Sequence, residues 1–331
     1  MSTSADIETP LTLEALNDNT TVTFSKYSGV QYSINGGTKY NVPSSGEIPT
    51  LNSGDKVSFY GNNTSYSSSS SAVISCSDKC YVYGNIMSLI NSTNYASATT
   101  LTGLSPFSHF FSSNTNIVNH NQKDLVLPAT TLTNNCYEFM FNGCTGLTSA
   151  PALPATSLAN SCYSRMFQNS GITSAPALPA TSLASSCYYG MFWGCKSLTI
   201  APLLPATTLA NNCYEYMFAG CTSLSSAPTL PATTLANYCY AYMFQGCTGI
   251  TSAPELLAST LVSNCYNQMF NNCTNLNYVK CLATVLSNDE AKCTYKWLDG
   301  VASSGTFIKA SDADWSTVTY GIPSGWTVQN N

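Results

Sequence analysis

Apolar residues recur along most of this chain with a long and regular period. Between Leu127 and Leu276 a Cys-Tyr pair returns every 25 or 26 residues, in a unit that reads approximately LPATTLANNCYxxMFxGCTSLTSAP. The cysteines of these pairs are Cys136, Cys162, Cys187, Cys213, Cys239 and Cys265. A period in the twenties is typical of a solenoid, in which stacked units bury surface that no unit can bury alone.

The spacing inside each unit predicts one short helix and one short extended segment. In the fourth unit Cys213, Tyr214, Met217, Phe218 and Cys221 fall at i, i+1, i+4, i+5 and i+8, which is one face of a helix. Only glycine or asparagine follows this helix, as expected of a left-handed C-cap. The predicted caps are Gly143, Asn169, Gly194, Gly220, Gly246 and Asn272. The prolines of the APxLP run that follows restrict it to a short or partly bonded strand.

The beginning and the end of the chain have other patterns. Residues 10–85 contain five short alternating runs rich in β-branched and aromatic residues, which predict a small antiparallel β domain, most simply a sandwich. Residues 86–126 align as a transition with an atypical first ring. Residues 277–331 align as a degenerate ring with a C-terminal cap, and residues 1–9 form a tail. Atypical terminal rings are what an open solenoid requires.

The repeated string MFxGCTSLTS resembles the AFxxCxxLxxI core of the BspA-like, or Treponema-type, leucine-rich repeats. It is still more similar to the bacterial surface-protein repeats of about 26 residues that carry MFxGCxSL, as found in gut Bacteroidales and their phages. The resemblance covers Leu127–Leu276 and extends weakly to about 107–310. It implies non-enzymatic surface proteins, many of them adhesins. The unit here is longer than the BspA repeat, and APxLPAT replaces a simpler LP strand.

The predicted fold combines these parts. It is a small all-β, sandwich-like N-terminal domain (10–85) followed by a right-handed leucine-rich-repeat-type solenoid with short strands and short helices. The regular repeats of this solenoid occupy residues 127–276.

Composition narrows the range of partners. Charged residues make up 8% of the chain, the net charge is −5, and no Lys/Arg run is present, so we expect no nucleic-acid partner. No apolar run approaches 18 residues, so we expect no membrane insertion. Residues 1–10 lack the apolar core of a signal peptide. Either an export signal was removed or the protein never used one.

The cysteines are predicted to be structural. Twelve of the fifteen sit at repeated positions, and the two within a unit are eight residues apart, about 12 Å along a helix, too far for a disulfide. We therefore predict a ladder of buried free thiols built on Cys136, Cys162, Cys187, Cys213, Cys239 and Cys265. Free thiols suit folding in the cytosol or an anaerobic habitat. Cys76 and Cys80 lie outside the repeat, and whether they are oxidised stays open.

Catalytic chemistry is not indicated. Residues 127–276 contain only five charged side chains, and both histidines, His109 and His120, lie in the transition segment without a nearby cluster of cysteines or carboxylates. No phosphate-binding loop, nucleophile elbow or metal-ligand spacing appears. The sequence predicts no enzyme, no cofactor and no metal.

The variable positions of the repeat point to binding. Two residues between Cys-Tyr and Met-Phe point away from the predicted core, and several of them are aromatic. The candidate ligand contacts are Phe139, Tyr189, Trp193, Tyr216 and Tyr242. Exposed aromatic side chains beside Asn, Ser and Thr suit contact with a glycan or a protein. The alternative is that these rings pack laterally against neighbouring rings.

The resulting expectation is a surface-displayed adhesion protein on the extracellular side. We favour a phage virion surface protein (head fibre, tail or decoration) that contacts glycans or proteins of the host or the gut mucosa. Its β domain would attach to other virion proteins. The alternatives are a secreted or lipid-anchored bacterial adhesin of the BspA-like type and a purely structural spacer. The ligand, the binding face, the phage or bacterial origin and the oligomeric state stay open.

Overall fold

A computed structural model describes residues 4–25, 28–68, 71–286, 292–316, 318 and 320–331. Regular elements within these ranges are short. In chain order they are α1 (Ser4–Glu8), β1 (Thr12–Ala15), β2 (Val22–Phe24), β3 (Gln31–Ile34), β4 (Tyr40–Asn41), β5 (Lys56–Tyr60), β6 (Ile74–Cys76), β7 (Cys80–Asn85), two 3-10 helices (Ile86–Leu89 and Tyr95–Ser97), β8 (Ile117–Asn119), β9 (Leu125–Val126), β10 (Tyr278–Cys281), β11 (Gly305–Lys309) and β12 (Trp326–Asn330).

Seven of the nine strands before residue 127 form one mixed sheet. Its order is β4-β3-β5-β1-β7-β8, and β9 pairs with the end of β7. The pairings from β4 to β7 are antiparallel, whereas β8 and β9 run parallel to β7. Strands β2 and β6 form a separate two-stranded sheet. The predicted sandwich of residues 10–85 is therefore wrong, because the main sheet is mixed and continues beyond residue 85.

The core of this β region follows from a period of two along its strands. In β5 the side chains of Val57 and Phe59 are buried, and Lys56 at the start of the strand is exposed. Phe59 packs against Phe24, with ring centroids 5.3 Å apart, and Phe24 meets Tyr66 at 5.9 Å. Burial of such rings is the main stabilising contribution on this side of the molecule.

The repeat region contains no helix. Between residues 127 and 277, a range described without a gap, the backbone forms turns and isolated bridges only. The predicted leucine-rich-repeat-type solenoid with short strands and short helices is therefore wrong. The reason is a left-handed residue at every fourth position: Asn135, Phe139 and Gly143 have φ of 57°, 53° and 70°. An α-helix needs right-handed angles throughout, so each unit becomes a series of turns.

Hydrogen bonds alternate along these turns. Glu138 donates its N–H to the carbonyl of Asn135 in the same unit, at 3.2 Å. Tyr137 instead donates to the carbonyl of Cys162, one unit further along the chain, at 2.9 Å. The same alternation recurs in the following units. Every second amide bonds within a unit and the others bond between units, so the buried backbone is paired without helix or sheet.

A column of aromatic rings runs through the stacked units. The tyrosine of each Cys-Tyr pair stacks on its equivalents at 5.8–6.2 Å between centroids, with planes within 17°. The column continues onto Phe107 and Tyr66 at one end and onto Trp297 and Trp315 at the other. A second column stacks the phenylalanines from Phe111 onward at 5.4–5.8 Å. The first column joins the β region to the C-terminal end, and the second extends from Phe111 to Phe270.

Proline decides where strands form in the second half. Parallel bridges join Ser149 to Ser174 and Ser174 to Ile200, but the APxLP segments build no continuous ladder. Their prolines lack the N–H that a ladder needs. Residues 278–285 contain no proline, and there β10 forms and pairs in parallel with β11, which pairs with β12.

Candidate binding surface

The five predicted contact residues, here called the aromatic strip, are Phe139, Tyr189, Trp193, Tyr216 and Tyr242. All five are partly exposed. The ring of Tyr216 stacks on Trp193 at 4.9 Å and on Tyr242 at 4.3 Å, and it lies 5.7 Å from Tyr189 at an angle of 60°. The rings therefore keep some exposure while they also pack laterally across units.

Arg165 connects Phe139 to the rest of the strip. Its guanidinium carbon lies 5.2 Å from the ring centroid of Phe139, 5.0 Å from that of Tyr189 and 5.6 Å from that of Trp193. Nη2 donates to the hydroxyl of Tyr189 at 3.3 Å, and Nε is buried without a protein partner. Cation–π contacts contribute about 0.5–1 kcal/mol each at exposed sites. This cation thus joins a ring of the unit before it to two rings of the unit after it.

The sequence prediction did not include three residues of this surface. His109 stacks on Phe139 at 4.6 Å, and Gln268 donates through Nε2 to the hydroxyl of Tyr242 at 3.0 Å. Burial lowers the pKa of His109, which favours the neutral ring. These two residues and Arg165 occupy the same repeat position as Phe139. That shared register is the signal that would have found them.

The third unit has Gly190 at this position. A Cβ there would lie 3.2 Å from Arg165 Cγ and 3.6 Å from Trp193 Cε3, so the missing side chain leaves room for these two neighbours. The rings of Tyr189 and Trp193, which belong to other positions of the repeat, occupy the space that the missing side chain leaves. The strip is therefore continuous although one of its positions has no side chain.

Two glutamates lie near Arg165. Asn135 donates to the carboxylate of Glu138 at 2.9 Å, and Asn212 donates to that of Glu215. Burial raises the pKa of both carboxyls, while these hydrogen bonds and the charge of Arg165 oppose the rise. Glu138 is partly exposed beside the strip, whereas Glu215 is buried.

The cysteines are all free and buried. In the predicted ladder, the Sγ of Cys136 lies 3.6 Å from the carbonyl oxygen of Cys162. In the second file, Cys221 Sγ donates to the carbonyl of Phe192 at 3.1 Å. Burial raises the pKa of Cys213 to about 12, so this thiol is protonated at neutral pH. Such thiols pack as small apolar groups and carry no chemistry.

The predicted cap residues have a left-handed backbone but no helix to cap. Their φ values are 54–72°. They are Gly143, Asn169, Gly194, Gly220, Gly246 and Asn272. Each is the third left-handed residue of its unit, and the corrected role is to complete the series of turns.

A cleft of about 500 Å³ lies between the loop 119–125 and the first two APxLP segments. His120, Lys123 and Asp124 line one side, and alanine and proline side chains line the other. The His120 ring meets Tyr81 edge-on at 4.7 Å. Lys123 pairs with Glu14 at 3.5 Å. This cleft is the second place where a ligand could contact polar and apolar groups together.

Two further properties concern metals and membranes. Within the part of the chain that the structure describes, no group of three or more His, Cys, Asp or Glu side chains could hold a metal ion. Over the same residues, no helix has the length and apolar character needed to cross a bilayer.

Comparison with known proteins yields no match. No protein-family model matches the chain, and no curated protein or solved structure shows significant similarity to it. The resemblance to the BspA-like repeats therefore stays a prediction from the sequence.

Proposed function

We propose that this chain is a non-enzymatic binding protein that contacts a protein or a glycan on a cell or mucosal surface through the aromatic strip. The observation that carries this proposal is the row of partly exposed aromatic rings that extends across the units from Phe139 to Tyr242. Tyrosine and tryptophan supply a large contact area with only two side-chain torsions to fix.

The rigidity of the strip supports the same proposal. Its residues sit on turns whose amides are bonded within and between units, and Arg165 and Gln268 hold the outer rings. A surface that is already ordered loses little conformational entropy on binding. Contacts spread over several units would add up along an extended ligand such as a glycan chain.

A structural spacer is the second candidate, and a specific observation favours it. The ring of Tyr216 is stacked between Trp193 and Tyr242 at 4.9 and 4.3 Å, so those ring faces are already occupied. In this alternative the strip stabilises the stack, and the protein serves as a spacer or decoration.

We further propose a virion surface as the setting, as a head fibre, tail or decoration protein whose residues 10–85 attach to other virion proteins. The fifteen buried free thiols support folding in the reducing cytosol of a host cell. The alternative is a bacterial cell-surface adhesin of the BspA-like type. Genes for capsid or tail proteins beside this gene would support the virion. A longer reading frame with a lipoprotein signal would contradict it.

The binding proposal is tested with a glycan array and with host cells. We expect Trp193→Ala and Tyr216→Ala to weaken binding at least tenfold. Tyr40→Ala is the matched control, because Tyr40 is an exposed tyrosine of the β region and lies outside the strip. Absent or unchanged binding would favour the spacer. Loss of binding in Lys123→Ala, with the strip variants unaffected, would assign the ligand to the cleft beside His120.

A further inference from the structure

Two cysteines of the β region differ in their surroundings from the thiols of the ladder. Cys76 ends β6 and Cys80 begins β7, and Asn116 holds the two residues together: its Nδ2 donates to the carbonyl of Cys76 and its carbonyl accepts from the N–H of Cys80, both at 2.9 Å. Asn114 Nδ2 lies 3.8 Å from the Sγ of Cys76 and also donates to the carbonyl of Ile74 at 3.2 Å. The thiol of Cys76 therefore faces a second thiol and an amide donor at once.

The two thiols are electrostatically unequal. The hydrogen bond with Cys80 lowers the pKa of Cys76, burial opposes this, and the amide of Asn114 lowers the pKa further. The same pairing raises the pKa of Cys80. In the ladder, by contrast, burial raises the pKa of Cys136 to about 12. Thiolate is the reactive form, so Cys76 is the nucleophile of the pair.

The thiols of Cys76 and Cys80 also differ in their exposure to solvent. Cys76 is 9% exposed, with the exposed residues Ser75 and Ser77 on either side, whereas Cys80 is fully buried. A small disulfide can therefore reach Cys76 first, and Cys80 is positioned to attack the sulfur of Cys76 afterwards.

We propose that Cys76 and Cys80 are a redox-active dithiol that closes to a disulfide when the protein meets an oxidising small-molecule disulfide. The Cys76 thiolate attacks one sulfur of glutathione disulfide, which forms a mixed disulfide and releases one glutathione thiolate. The Cys80 thiolate then attacks the Cys76 sulfur and releases the second glutathione. The two protein thiols lose two protons and two electrons, and glutathione disulfide gains them to become two glutathione molecules.

The disulfide would join the two sheets of the β region. Cys76 pairs with Val22 in the two-stranded sheet, and Cys80 pairs with Ala15 in the main sheet. The bond closes a loop of only five residues, so its contribution to stability is small. Its effect is local: it would hold β6 against β7 in a protein that has left a reducing compartment. The thiol chemistry itself does not depend on the proposed binding function.

The experiment uses the folded, fully reduced protein incubated with glutathione disulfide. Intact mass and peptide mapping after alkylation in denaturant then locate every disulfide. We expect the loss of two hydrogen atoms and a single Cys76–Cys80 bond. In Cys80→Ser a glutathione adduct should accumulate on Cys76, and in Cys76→Ser neither product should form. Ser75→Ala is the matched control and should oxidise like the unaltered protein.

Three results would overturn the proposal. The first is a protein that stays fully reduced while denatured protein oxidises. The second is a lasting glutathione adduct on Cys76 in the unaltered chain, which would show that Cys80 does not resolve it. The third is a disulfide between another pair of cysteines, such as Cys265 and Cys293, in place of the proposed bond. Circular dichroism of both serine variants shows whether they are folded before oxidation.

Discussion

The β region (residues 10–126) and the repeat region (residues 127–276) pair their buried backbone in two different ways. In the β region, strands of two to six residues bond side by side, and side chains alternate between two faces. In the repeat region, four-residue turns bond alternately within and between units. In the first region Phe24 meets Phe59 and Phe110 at tilts of 44° and 76°, whereas a buried ring inside the second region stacks nearly parallel on its equivalents in the adjacent units.

This difference has an energetic consequence. Phe59 contacts Phe24 at a tilt of 44°, within a core of mixed side chains. Phe218 stacks on Phe192 and Phe244 at 5.6 and 5.7 Å, nearly parallel to both. In a stack of repeats, stability is approximately the sum of each unit and its contacts with its neighbours. Damage to one unit should therefore weaken its two interfaces without reaching the β region.

The largest expected effect comes from cavities in these two cores. Phe218→Ala and Phe59→Ala should each lower the free energy of unfolding by about 3–5 kcal/mol, because both rings are fully buried. Hydrogen exchange should separate them. Phe218→Ala should lose protection in the units beside it, and Phe59→Ala should lose it in the sheet. Equal loss of protection across the whole chain for both variants would show that the regions unfold as one.

Substitutions at two glycines with positive φ, one in each region, should give a second and smaller difference in stability. Gly220 has φ of 71°, and an added Cβ would meet nothing nearer than Gly194 Cα at 3.7 Å, so Gly220→Ala should cost about 1–2 kcal/mol. Gly46 has φ of 78°, and its Cβ would lie 2.5 Å from the Phe24 carbonyl oxygen, so Gly46→Ala should cost more. Chemical denaturation measures both. Gly220→Asn, which copies Asn169, should cost less than Gly220→Ala, and the reverse order would contradict the left-handed assignment.

The aromatic strip should contribute modestly to stability. Tyr216→Ala removes two stacked contacts and should lower the free energy of unfolding by about 1 kcal/mol. Tyr40→Ala removes one tilted contact with Tyr32 at 6.0 Å and should have a smaller effect. Thermal denaturation of the two variants compares them directly. If Tyr216→Ala is as mild as Tyr40→Ala, the strip does not stabilise the stack and the spacer interpretation weakens.

The smallest expected effect concerns pH. Burial raises the pKa of Glu215, so the folded protein holds this proton more tightly than the unfolded chain does. Stability from this group should therefore fall as pH rises from the ordinary glutamate range through the raised pKa, and then level off. Glu215→Gln should be the more stable protein at pH 7, and the difference should vanish at low pH. A difference that grows toward low pH would mean that the charged carboxylate is the stabilised form.

Several features of the repeat region could be predicted from the sequence alone. The side chains at i, i+1, i+4, i+5 and i+8 of each unit are buried, as their spacing indicated. Phe107, Phe110 and Phe111 of the transition have the spacing of the Tyr, Met and Phe of a unit, and Phe107 does lie in the tyrosine column. The positions that hold only glycine or asparagine are left-handed. Each of these is local, because burial pattern and glycine preference are written into single positions.

The arrangement of the aromatic strip could be predicted only in part from the sequence. Its five aromatic residues stood out by type, but the place of Arg165 between three rings depends on the offset of successive units. Trp297 shows the same limit. It follows Cys293 by four residues, as the methionine of each unit follows its first cysteine, yet its ring stacks on Tyr266 in the tyrosine column. A long side chain can reach a neighbouring column, and an alignment of repeat positions does not show which column its ring joins.

The sequence by itself determined the repeat, its register and the side chains that it buries. Only the tertiary structure decided that these units are turns and not helices. Over nine residues a period of 3.6 and a period of four bury the same positions, so the pattern does not separate them. The left-handed residues Asn135 and Phe139 lie at positions where glycine is the exception, since only the third unit has one there, Gly190. Their amides bond to the next unit, so this backbone is stable only when the neighbouring unit is in place.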